Sequence, residues 1–502
     1  MARGRNHDEF LVPPFMTAIV TYICWTTLYI VGKLRDMARK LVEGEKRPGY
    51  APIRQDYEDF YTRRMYYRIH DCFNRPICSA PGSWVDVMLR TPPSRQRALT
   101  STGETRSCLN LGSYNYLGFA STDEYCTPQV LDSLDSCGWW TGSARGAAGT
   151  TRAHQDLERE LAGFLGTEDA LVCGMGFATN SHFLPLLAGP GCLLISDALN
   201  HASIVTGARA SGAKVRVFRH NDAEHLRQVL RDAVVEGQPR VRRPWRKILV
   251  VIEGIYSMEG EVCNLAEIVR VAKEHRAYVY LDEAHSIGAM GATGRGVCEH
   301  LGVDVRDVDV MMGTFTKSFG SVGGYLAGRK ELVDYLRMQS PAALHAGSMS
   351  PPAAAMALAA LRLVMDADGS GRGPAKLRAL KRNSNYFREG LLRAGLSVLG
   401  DWDSPVMPVM AYQPTKLAVA GRYTLAHNVA VVAVGFPATP LLTSRLRVCI
   451  SAAHTREDLD YGLRVLAEVA KEGHLFFRPH RAKKVAAERK AWREDRGLGA
   501  YE

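Results

Sequence analysis

Six short, mainly apolar runs between residues 170 and 312 constrain the fold of this chain more than any other feature of its sequence. Each run is bounded by turn residues, and most are largely apolar at consecutive positions, a pattern typical of strands buried on both faces of a parallel sheet. Amphipathic stretches such as 153–165, with Leu157, Leu161 and Phe164 at helical spacing, lie between or beside them. We therefore predict an α/β fold with a mostly parallel sheet. The predicted strands are 170–172, 192–195, 214–218, 248–252, 277–281 and 308–312.

The pattern changes near Pro351, where an Ala/Leu-rich helix precedes shorter alternating strands around Ala411 and Val431. This change predicts a second, smaller α+β domain. Ahead of the sheet region, the segment 91–106 is rich in Pro, Ser, Thr and Arg and predicts a loop. The expected division is an N-terminal tail at 1–12, a membrane helix at 13–34, a lead-in segment at 35–110, a large domain at 111–345, a small domain at 346–476 and a basic tail at 477–502.

The N-terminal segment predicts a membrane anchor. Residues 10–32 carry no charge and are mostly apolar from residue 15 onward, close to the length of about 20 residues that crosses a bilayer. Four basic residues flank its C-terminal end, Lys33, Arg35, Arg39 and Lys40, and by the positive-inside rule they place the rest of the chain in the cytosol. The anchor either spans the membrane or lies in one leaflet, and a buried core helix is the alternative.

Composition narrows the classes of protein to which this chain can belong. With 46% hydrophobic residues among 502, the chain can bury a large core, which excludes wholesale disorder. The net charge of +11 suits acidic partners such as nucleic acid, anionic lipid or a phosphate-bearing substrate like a coenzyme A ester. No nucleic-acid motif accompanies the charge, so we expect no nucleic-acid partner. The eleven cysteines include no CxxC pair, which predicts reduced thiols and no metal site.

Two predicted strand ends carry groups that suit catalysis. Asp282 follows the strand 277–281, and Lys317 follows the strand 308–312 within the polar sequence GTFTKSFG. Taken alone, the carboxylate is also explained as a helix cap and the lysine as a polar loop residue. Together they match the needs of a pyridoxal phosphate (PLP) enzyme, which uses a lysine for a Schiff base and a carboxylate to keep the pyridine nitrogen protonated.

Three further features are compatible with the same chemistry. The sequence GMGFATN at 174–180 follows the first predicted strand and offers backbone N–H groups to a phosphate. It lacks the third glycine of a Rossmann fingerprint, and the Lys317 segment is not a Walker A loop. His201 could stack on a planar ring, with a structural hydrogen-bonding role as the alternative. Arg447 could clamp a carboxylate bidentately, with Arg445 as its competitor and a surface role as the alternative.

Ordered motifs along the chain carry a resemblance to a known family. They are GSYNYLGFA from Gly112, GMGFATNS from Gly174, SDALNHASIV from Ser196, EGIYSMEGE from Glu253, YLDEAHSIGAMGATGRG from Tyr280, MGTFTKSFG from Met312, GFPATP from Gly435 and SAAHT from Ser451. The segments resemble the α-oxoamine synthases, fold-type I (aspartate aminotransferase-like) PLP-dependent transferases that join an amino acid to an acyl-CoA with loss of carbon dioxide. The resemblance covers residues 57–475 and is most specific to the PLP-bearing catalytic subunits of eukaryotic serine palmitoyltransferases.

The resemblance implies a role for each matching residue. It implies that Lys317 forms the Schiff base and later shuttles the Cα proton, that Asp282 holds the pyridinium and that His201 stacks on the ring. It also implies that His285 hydrogen-bonds the cofactor phenolate oxygen, which completes the catalytic set, and that Arg447 binds the amino-acid carboxylate. Further positions carried over are Gly176, Phe177, Ser257 and Thr314 for the cofactor and its phosphate, Ser348 for the phosphate across a dimer interface, and Asn115, Tyr116 and Thr439 for the substrate.

The activity that the resemblance implies is condensation of L-serine with palmitoyl-CoA to 3-ketosphinganine, CoA and carbon dioxide, the first step of sphingolipid biosynthesis. It implies a heterodimer with the non-catalytic long-chain base subunit one, joined by small activating subunits and Orm-type regulators, at the endoplasmic reticulum membrane and facing the cytosol. The loop 437–440 resembles a mobile loop that repositions Arg447, whereas 143–154 looks more like the wider family. Substrate preference and partner contacts near 143–154 therefore stay open.

Three alternatives to this activity remain. The first is an α-oxoamine synthase for another amino acid, such as glycine or alanine. The second is a non-catalytic scaffold subunit of the same complex, although such a chain would lack the Schiff-base lysine. The third is a basic module that binds membrane surfaces.

Overall fold

The computed structural model of this protein describes residues 11–42, 60–91 and 99–476, together with the isolated positions 488, 490, 491 and 494. Its strands are β1 (Trp84–Arg90), β2 (Ser101–Asn110), β3 (Asp169–Cys173), β4 (Leu193–Asp197), β5 (Lys214–Phe218), β6 (Ile248–Glu253), β7 (Ile255–Tyr256), β8 (Glu261–Val262), β9 (Tyr278–Asp282), β10 (Val310–Thr314), β11 (Gly324–Gly328), β12 (Val406–Tyr412), β13 (Val429–Ala430), β14 (Val432–Val434) and β15 (Ser444–Cys449). Its α-helices are α1 (Phe15–Val42), α2 (Tyr67–Ile69), α3 (Cys126–Cys137), α4 (Arg152–Leu165), α5 (Gly176–Leu187), α6 (Ala202–Ala210), α7 (Ala223–Glu236), α8 (Leu265–Glu274), α9 (Val297–Leu301), α10 (Lys330–Gln339), α11 (Pro341–Leu344), α12 (Pro351–Val364), α13 (Arg372–Arg393), α14 (Pro414–Ala426) and α15 (Arg456–Glu472). Short 3₁₀ turns lie at His70–Cys72, Val305–Asp307 and Leu441–Thr443, and a π-helical turn lies at Thr62–Tyr66.

Within these ranges, seven strands form the central sheet, in the order β3-β11-β10-β9-β6-β4-β5. The strands from β10 to β5 pair in parallel, whereas β11 runs antiparallel to both β10 and β3. The predicted α/β fold with a mostly parallel sheet is confirmed, and each predicted run overlaps an observed strand. β11, with the sequence GYLAG, lacks a strand signal because its terminal glycines have no side chain to pack. Pairing along both of its edges stabilises it instead.

Helices cover both faces of the central sheet. In β6, Val250 and Ile252 belong to the hydrophobic cluster on one face, whereas Leu249 and Val251 belong to the cluster on the other. Successive side chains of a strand point to opposite faces, so this alternation means that both faces are buried. Ligands therefore reach this sheet at the carboxyl ends of its strands rather than on a face.

A second hydrophobic core forms around the three-stranded antiparallel sheet β12-β15-β14. α12 packs in the core of the large sheet, and α13 contributes Leu377 and Leu380 to that core but Phe387 and Leu391 to the second one. A single continuous helix thus connects the two cores. The sequence predicts a domain boundary between residues 345 and 346. The two hydrophobic cores do not divide there, because the Ala/Leu-rich helix α12 packs in the core of the large sheet.

The predicted loop at 91–106 is wrong for residues 101–106, which form the first part of β2. These residues pair with β1 in antiparallel register, and most of their side chains are exposed. Because β1 supplies the hydrogen bonds, a polar sequence can form a strand here without an apolar face. The predicted tail residues 1–10, the lead-in residues 43–59 and 92–98, and nearly all of the basic tail lie outside the described residues.

The predicted membrane helix corresponds to α1, which comprises 28 residues and extends beyond residue 34. Its part Phe15–Ala38 is long and apolar enough to cross a membrane, judged by length and composition alone. In the described part of the chain, no other helix meets that criterion. The shorter apolar helix α12 packs in the protein core instead.

Candidate active site

Three ionisable side chains meet at the carboxyl ends of neighbouring strands. Glu253 ends β6 and Asp282 ends β9, and these two residues pair directly across the sheet. Asp282 pairs in turn with Met312 of β10, and Lys317 lies in the turn that follows that strand. The register of the sheet therefore brings Lys317 to the edge that carries both carboxylates.

The charge of Lys317 is set by its surroundings. Its side chain is partly buried, and burial disfavours the charged amine and lowers the pKa of Lys317 from 10.5 to about 8. Asp282 and Glu253 oppose this effect because negative charges favour the cation, whereas Arg447 adds to it. The Nζ atom lies 5.5 Å from the ring centre of Tyr114. Lys317 thus exchanges a proton closer to neutral pH than an ordinary lysine does.

A buried hydrogen-bond network holds the Asp282 carboxylate. Asn180 Nδ2 donates to Asp282 Oδ2 at 2.8 Å and to Ser203 Oγ at 2.9 Å. The Tyr280 hydroxyl donates to Asn180 Oδ1 at 2.6 Å, and the backbone N–H of Ala284 donates to Asp282 Oδ1 at 2.9 Å. Because Asn180 belongs to α5 and Ser203 to α6, two helices orient a carboxylate that the sheet supplies.

His201 caps the N-terminus of α6 and exposes its ring at the site. Its Nδ1 lies 2.8 Å from Ser203 Oγ, which fixes the orientation of the ring. The backbone N–H of His201 donates to Glu253 Oε1. Burial, together with the nearby charge of Asp282, holds the pKa of Glu253 well above 4.5. The ring of Phe177, 6.1 Å from that of His201, is also exposed.

His285 lies against two tyrosines. Its Nδ1 is 2.9 Å from the hydroxyl of Tyr116, and its ring meets Tyr114 edge to face at 4.7 Å. Burial, with Lys317 and Arg447 nearby, holds the pKa of His285 well below 6.5, so its ring is neutral. Tyr116 is fully buried, and its hydroxyl meets this histidine.

Two other residues that the sequence places at the substrate differ in their contacts. Asn115 Nδ2 donates to the Pro81 carbonyl at 2.8 Å, and its Oδ1 accepts from the Ala120 N–H at 3.1 Å, so backbone groups engage both ends of its amide. Thr439 is buried, and among the described residues its hydroxyl has no hydrogen-bond partner. This hydroxyl lies in the connection between β14 and β15, the strand that carries Arg447.

Arg445 and Arg447 both lie on β15 but have different partners. The Arg447 guanidinium lies 4.5 Å from the ring centre of Tyr114, the same ring that Lys317 approaches. Its Nε atom has no hydrogen-bond partner in the part of the chain that the structure describes. Arg445 is buried and forms an ion pair with Glu259 at 3.2 Å. Arg447 is therefore the arginine with a donor available to a ligand.

The N-terminus of α5 forms a small open cradle. Helix N-termini carry backbone N–H groups without intrahelical partners, and Gly176 is the first residue of this helix. A Cβ atom at Gly176 would lie 2.8 Å from Thr314 Oγ1, so glycine keeps the cradle open. Thr314 Oγ1 lies 2.8 Å from both the Gly323 carbonyl and the Thr316 hydroxyl. Hydroxyl and backbone N–H groups therefore lie together at this helix end.

Two serines complete the set of predicted cofactor residues. Ser257 lies close to the hydroxyl of Tyr114 and opposes the rise in the pKa of that tyrosine that burial causes. Ser348 is buried, and its Oγ lies 2.9 Å from Thr141 Oγ1 of the same chain. Ser257 therefore neighbours the ring that lies near Lys317, whereas Ser348 belongs to a separate hydroxyl pair.

Three residues of the site, Asn180, Glu253 and Tyr114, are absent from the sequence-based set. Asn180 lies four residues after Gly176 in α5, so the helical spacing places both on one face and could have indicated it. Glu253 ends a strand just as Asp282 does, and the same strand-end argument applies to it. Tyr114 reaches Lys317 and Arg447 only through long-range packing, which leaves no local pattern.

The donor groups at this edge fit a PLP molecule. Lys317 offers an amine of lowered pKa for a Schiff base, and Asp282 offers an oriented carboxylate for a protonated ring nitrogen. His201 offers an exposed ring, and the cradle that Gly176 keeps open suits a phosphate at a helix N-terminus. Among the described residues, no three His, Cys, Asp or Glu side chains cluster as metal ligands would.

Comparisons with known proteins agree with this chemistry. The family described as aminotransferase class I and II matches residues 106–466. The chain is 54% identical to "Long chain base biosynthesis protein 2a" of Arabidopsis thaliana, over 94% of this chain and 97% of the relative. It is 50% identical to "Serine palmitoyltransferase 2" of Dictyostelium discoideum, over 91% and 94%. A serine palmitoyltransferase structure from S. paucimobilis with a bound PLP–myriocin aldimine matches with a TM-score of 0.70 and 30% identity, over 80% of this chain and 93% of that one.

The fold and the site define a PLP-dependent transferase of fold type I. Its relatives share more than nine-tenths of its length, so the similarity extends far beyond the cofactor motifs. The chain belongs to the serine palmitoyltransferase family, which includes the long chain base biosynthesis proteins 2.

Proposed function

We propose that this chain is the catalytic subunit of a serine C-palmitoyltransferase, which condenses L-serine with palmitoyl-CoA to 3-ketosphinganine, CoA and carbon dioxide. The observation that carries the proposal is the Lys317 amine, with a pKa of about 8, at the sheet edge that also carries Asp282. A scaffold subunit needs no such amine. The names of the relatives support serine and a palmitoyl thioester as substrates, at the first step of sphingolipid biosynthesis.

The cofactor would be held by residues from several strand ends. When bound, PLP supplies an electron sink that stabilises negative charge at the serine Cα. Lys317 would bind its aldehyde carbon, Asp282 would pair with its ring nitrogen, and His201 would stack on its ring. The residues proposed for the phenolate oxygen and the phosphate are His285, Gly176, Phe177, Thr314, Ser257 and Ser348.

We assign proton transfer at the serine Cα to Lys317. A general base works best when its pKa lies near the operating pH, and a pKa of about 8 meets that condition. The neutral Nζ atom accepts the Cα proton, and the resulting ammonium returns a proton later in the cycle. The Tyr114 ring, 5.5 Å from Nζ, shields one side of the amine from water.

We assign the serine carboxylate to Arg447. A guanidinium binds a carboxylate bidentately, and stacking on Tyr114 at 4.5 Å restricts its orientation before the substrate arrives. The Thr439 hydroxyl, which has no hydrogen-bond partner among the described residues, is the proposed second substrate contact. Asn115 and Tyr116, in contrast, are proposed to act as positioning residues, the first on the backbone and the second on His285.

The setting that we propose is the endoplasmic reticulum membrane, with the catalytic region in the cytosol. Lys33 and Arg35, which follow the apolar part of α1, support this orientation through the positive-inside rule. The proposed partner is the non-catalytic long-chain base subunit one, with small activating subunits and Orm-type regulators. Two adjacent exposed rings, those of Trp139 and Trp140, support a partner surface.

The test is the visible absorption of the purified, PLP-loaded protein, titrated separately with L-serine, glycine and L-alanine. We expect an aldimine band that shifts with serine and is absent in Lys317→Ala, because Lys317 supplies the amine of the proposed Schiff base. Product formation is followed in parallel by mass spectrometry with isotope-labelled serine and palmitoyl-CoA. The matched control is Lys330→Ala, which removes an exposed lysine.

Each result of this titration decides between functions. A shift with glycine or alanine but not with serine would keep the family and refute the substrate. A Lys317→Ala protein that retains the cofactor band would refute the assignment of the Schiff-base lysine. Absence of any band in the loaded, unaltered protein would favour a non-catalytic scaffold subunit.

A further inference from the structure

The strand β15 lies between the two hydrophobic cores and has one face toward each. Leu446 and Val448 belong to the second core, whereas Cys449 belongs to the core of the large sheet. Because alternate side chains of a strand share a face, Arg445 and Arg447 lie on the same side as Cys449. Pairing with β12 and β14 fixes β15 within its own sheet. It does not by itself fix the two arginines relative to the central sheet.

The turn between β7 and β8 connects the central sheet to this face of β15. β7 begins two residues after Glu253, the carboxylate that ends β6. β7 and β8 pair as an antiparallel hairpin, and the Gly260 N–H donates to the Tyr256 carbonyl at 2.7 Å within the turn. The hairpin therefore extends from the strand ends of the active site.

Backbone contacts fix this turn to the region of the second core. Gly260 has a φ of +71°, and a Cβ atom there would lie 2.4 Å from the Val406 carbonyl at the start of β12, so this close approach requires glycine. The Asp401 N–H donates to the Gly260 carbonyl at 3.2 Å, and the Asp401 carboxylate accepts from the Val262 N–H at 2.9 Å. The turn is therefore held at the active site through β6 and at the second core through these contacts.

Arg445 joins this turn to β15. Its side chain is only 2% exposed. Its Nη1 atom donates to the Met258 carbonyl at 2.6 Å and to Glu259 Oε1 at 3.2 Å, and its Nε atom donates to the Thr443 carbonyl at 3.0 Å. A guanidinium can bind several oxygens at once because its donors have a fixed planar arrangement. Two of these oxygens belong to the turn and one to the chain that enters β15, so Arg445 fixes the start of the strand against the turn.

Arg447, two residues further along β15, has weaker contacts. Its Nη1 atom lies 3.8 Å from the Met258 sulfur, and its guanidinium lies 4.5 Å from the ring centre of Tyr114. A thioether is a weak acceptor, and neither contact directs a guanidinium as an ion pair does. The position of the Arg447 guanidinium therefore depends on the backbone of β15, which Arg445 anchors.

We infer that Arg445 and Glu259 are positioning residues, whose buried ion pair fixes β15 against the β7–β8 turn and so directs Arg447 toward a substrate carboxylate. The inference rests on the proposed role of Arg447 in binding the serine carboxylate. Bidentate binding needs a narrow range of guanidinium orientations, so a small displacement of β15 weakens the contact with that group. Loss of the ion pair should therefore impair recognition of the carboxylate and leave recognition of the serine amine unchanged.

The test compares the binding of L-serine with that of ethanolamine, which is serine without its carboxylate. Visible absorption of the full-length, PLP-loaded protein gives a Kd for each amine. Glu259→Gln removes the charge of the ion pair and preserves the size of the side chain. For this variant we expect the Kd for L-serine to rise about tenfold, a coupling typical of residues in one network, and the Kd for ethanolamine to stay unchanged. Equal changes for the two amines, or no change for serine, would overturn the inference.

Asp401→Asn is the matched control, because it neutralises a carboxylate that holds the same turn through the Val262 N–H. We expect it to change the Kd for serine by less than about twofold. A rise equal to that of Glu259→Gln would mean that any loosening of the turn has this effect, which would refute a specific role for the ion pair. If Glu259→Gln does not fold, as judged by circular dichroism, Arg445→Lys replaces it in every comparison.

A double substitution tests whether the ion pair acts through Arg447. In an Arg447→Met protein, Glu259→Gln should not weaken serine binding further, because no guanidinium remains to be positioned. Additive effects would contradict the inference. The unaltered protein separates the two levels of the argument. If serine leaves its absorption unchanged, the proposed function fails together with the inference, whereas a normal serine response with unexpected variant results would refute the inference alone.

Discussion

At the scale of single residues, the site separates side chains that face a ligand from those that orient them. Asn180 bonds to Asp282, Ser203 and Tyr280, so its amide aligns the carboxylate without a free donor of its own. Arg445 is likewise engaged by Glu259. Lys317 and Arg447 both lie near the Tyr114 ring, and their availability to a ligand, rather than their residue type, distinguishes them from Asn180 and Arg445.

The pKa of Lys317 gives the residue-scale prediction. In the cofactor-free protein, we expect the acetylation rate of Lys317 to rise with pH around a midpoint of about 8, well below the 10.5 of an ordinary lysine. Because the Asp282 charge favours the ammonium form, Asp282→Asn should move this midpoint lower still. Competitive acetylation with peptide mass spectrometry measures the rate for each lysine, and Glu331→Gln, an exposed acid, is the control. A midpoint that rises in Asp282→Asn would contradict this electrostatic account.

At the scale of elements, the connection between β14 and β15 links the N-terminal region to the active site. The Tyr61 hydroxyl donates to the Phe436 carbonyl at 2.9 Å, and the two rings lie 4.7 Å apart. The Trp25 ring of α1 is 6.3 Å from that of Tyr61. An unbroken series of contacts therefore runs from α1 through Tyr61 into the connection that precedes the strand of Arg447.

Loosening this connection should affect serine binding more than turnover. Tyr61→Phe removes one hydrogen bond while it keeps the ring, at a cost of about 0.5–1.5 kcal/mol. If the connection positions Arg447 and Thr439, the KM for serine should rise between about twofold and tenfold, with kcat and the KM for palmitoyl-CoA nearly unchanged. Tyr66→Phe, whose ring stacks on Phe73 at 5.8 Å in the same segment, is the control. Equal effects of the two substitutions would argue against a specific role for Tyr61.

At the scale of the whole molecule, His220 joins three strand ends on the side of the sheet away from β3. Its Nδ1 lies 2.8 Å from Asp197 of β4 and its Nε2 lies 3.0 Å from Glu261 of β8, while the residue itself follows β5. Burial alone would lower the pKa of His220, but the hydrogen bonds to both carboxylates raise it to about 10. A buried, charged histidine between two acids thus holds these strand ends together.

This cluster predicts a pH-dependent stability. Because the folded state raises the pKa of His220, its stabilising effect is complete below about pH 6.5, the ordinary histidine value, and is lost as the pH rises toward about 10. His220→Gln should therefore lower the free energy of unfolding by about 3 kcal/mol near neutral pH, and the difference from the unaltered protein should shrink at alkaline pH. Urea titrations at several pH values measure it, with exposed His345→Gln as the control. A constant difference across pH would show that His220 acts without its charge.

Local patterns in the sequence were sufficient to identify six strands of the central sheet and to place Asp282 and Lys317 at strand ends. The sequence runs that form β3, β4, β5, β6, β9 and β10 are apolar over several residues. A strand that is buried on both faces needs this pattern whatever its neighbours are, so the sequence alone indicates it. Asp282 and Lys317 follow two of these runs, and strand ends in a parallel sheet share one edge. The local pattern did not predict the polar start of β2 or the glycine-bounded β11. Pairing with neighbouring strands, rather than an apolar sequence, stabilises these segments.

The sequence by itself therefore determined the class of sheet and the lysine and carboxylate that meet at one of its edges, because each depends on short-range periodicity. Only the tertiary structure decided that Asn180 orients Asp282, that Glu253 meets the His201 backbone and that Arg447 rather than Arg445 is available. It also decided that α1 turns its polar face inward. These features depend on partners that are distant along the chain, so a pattern of neighbouring residues does not predict them.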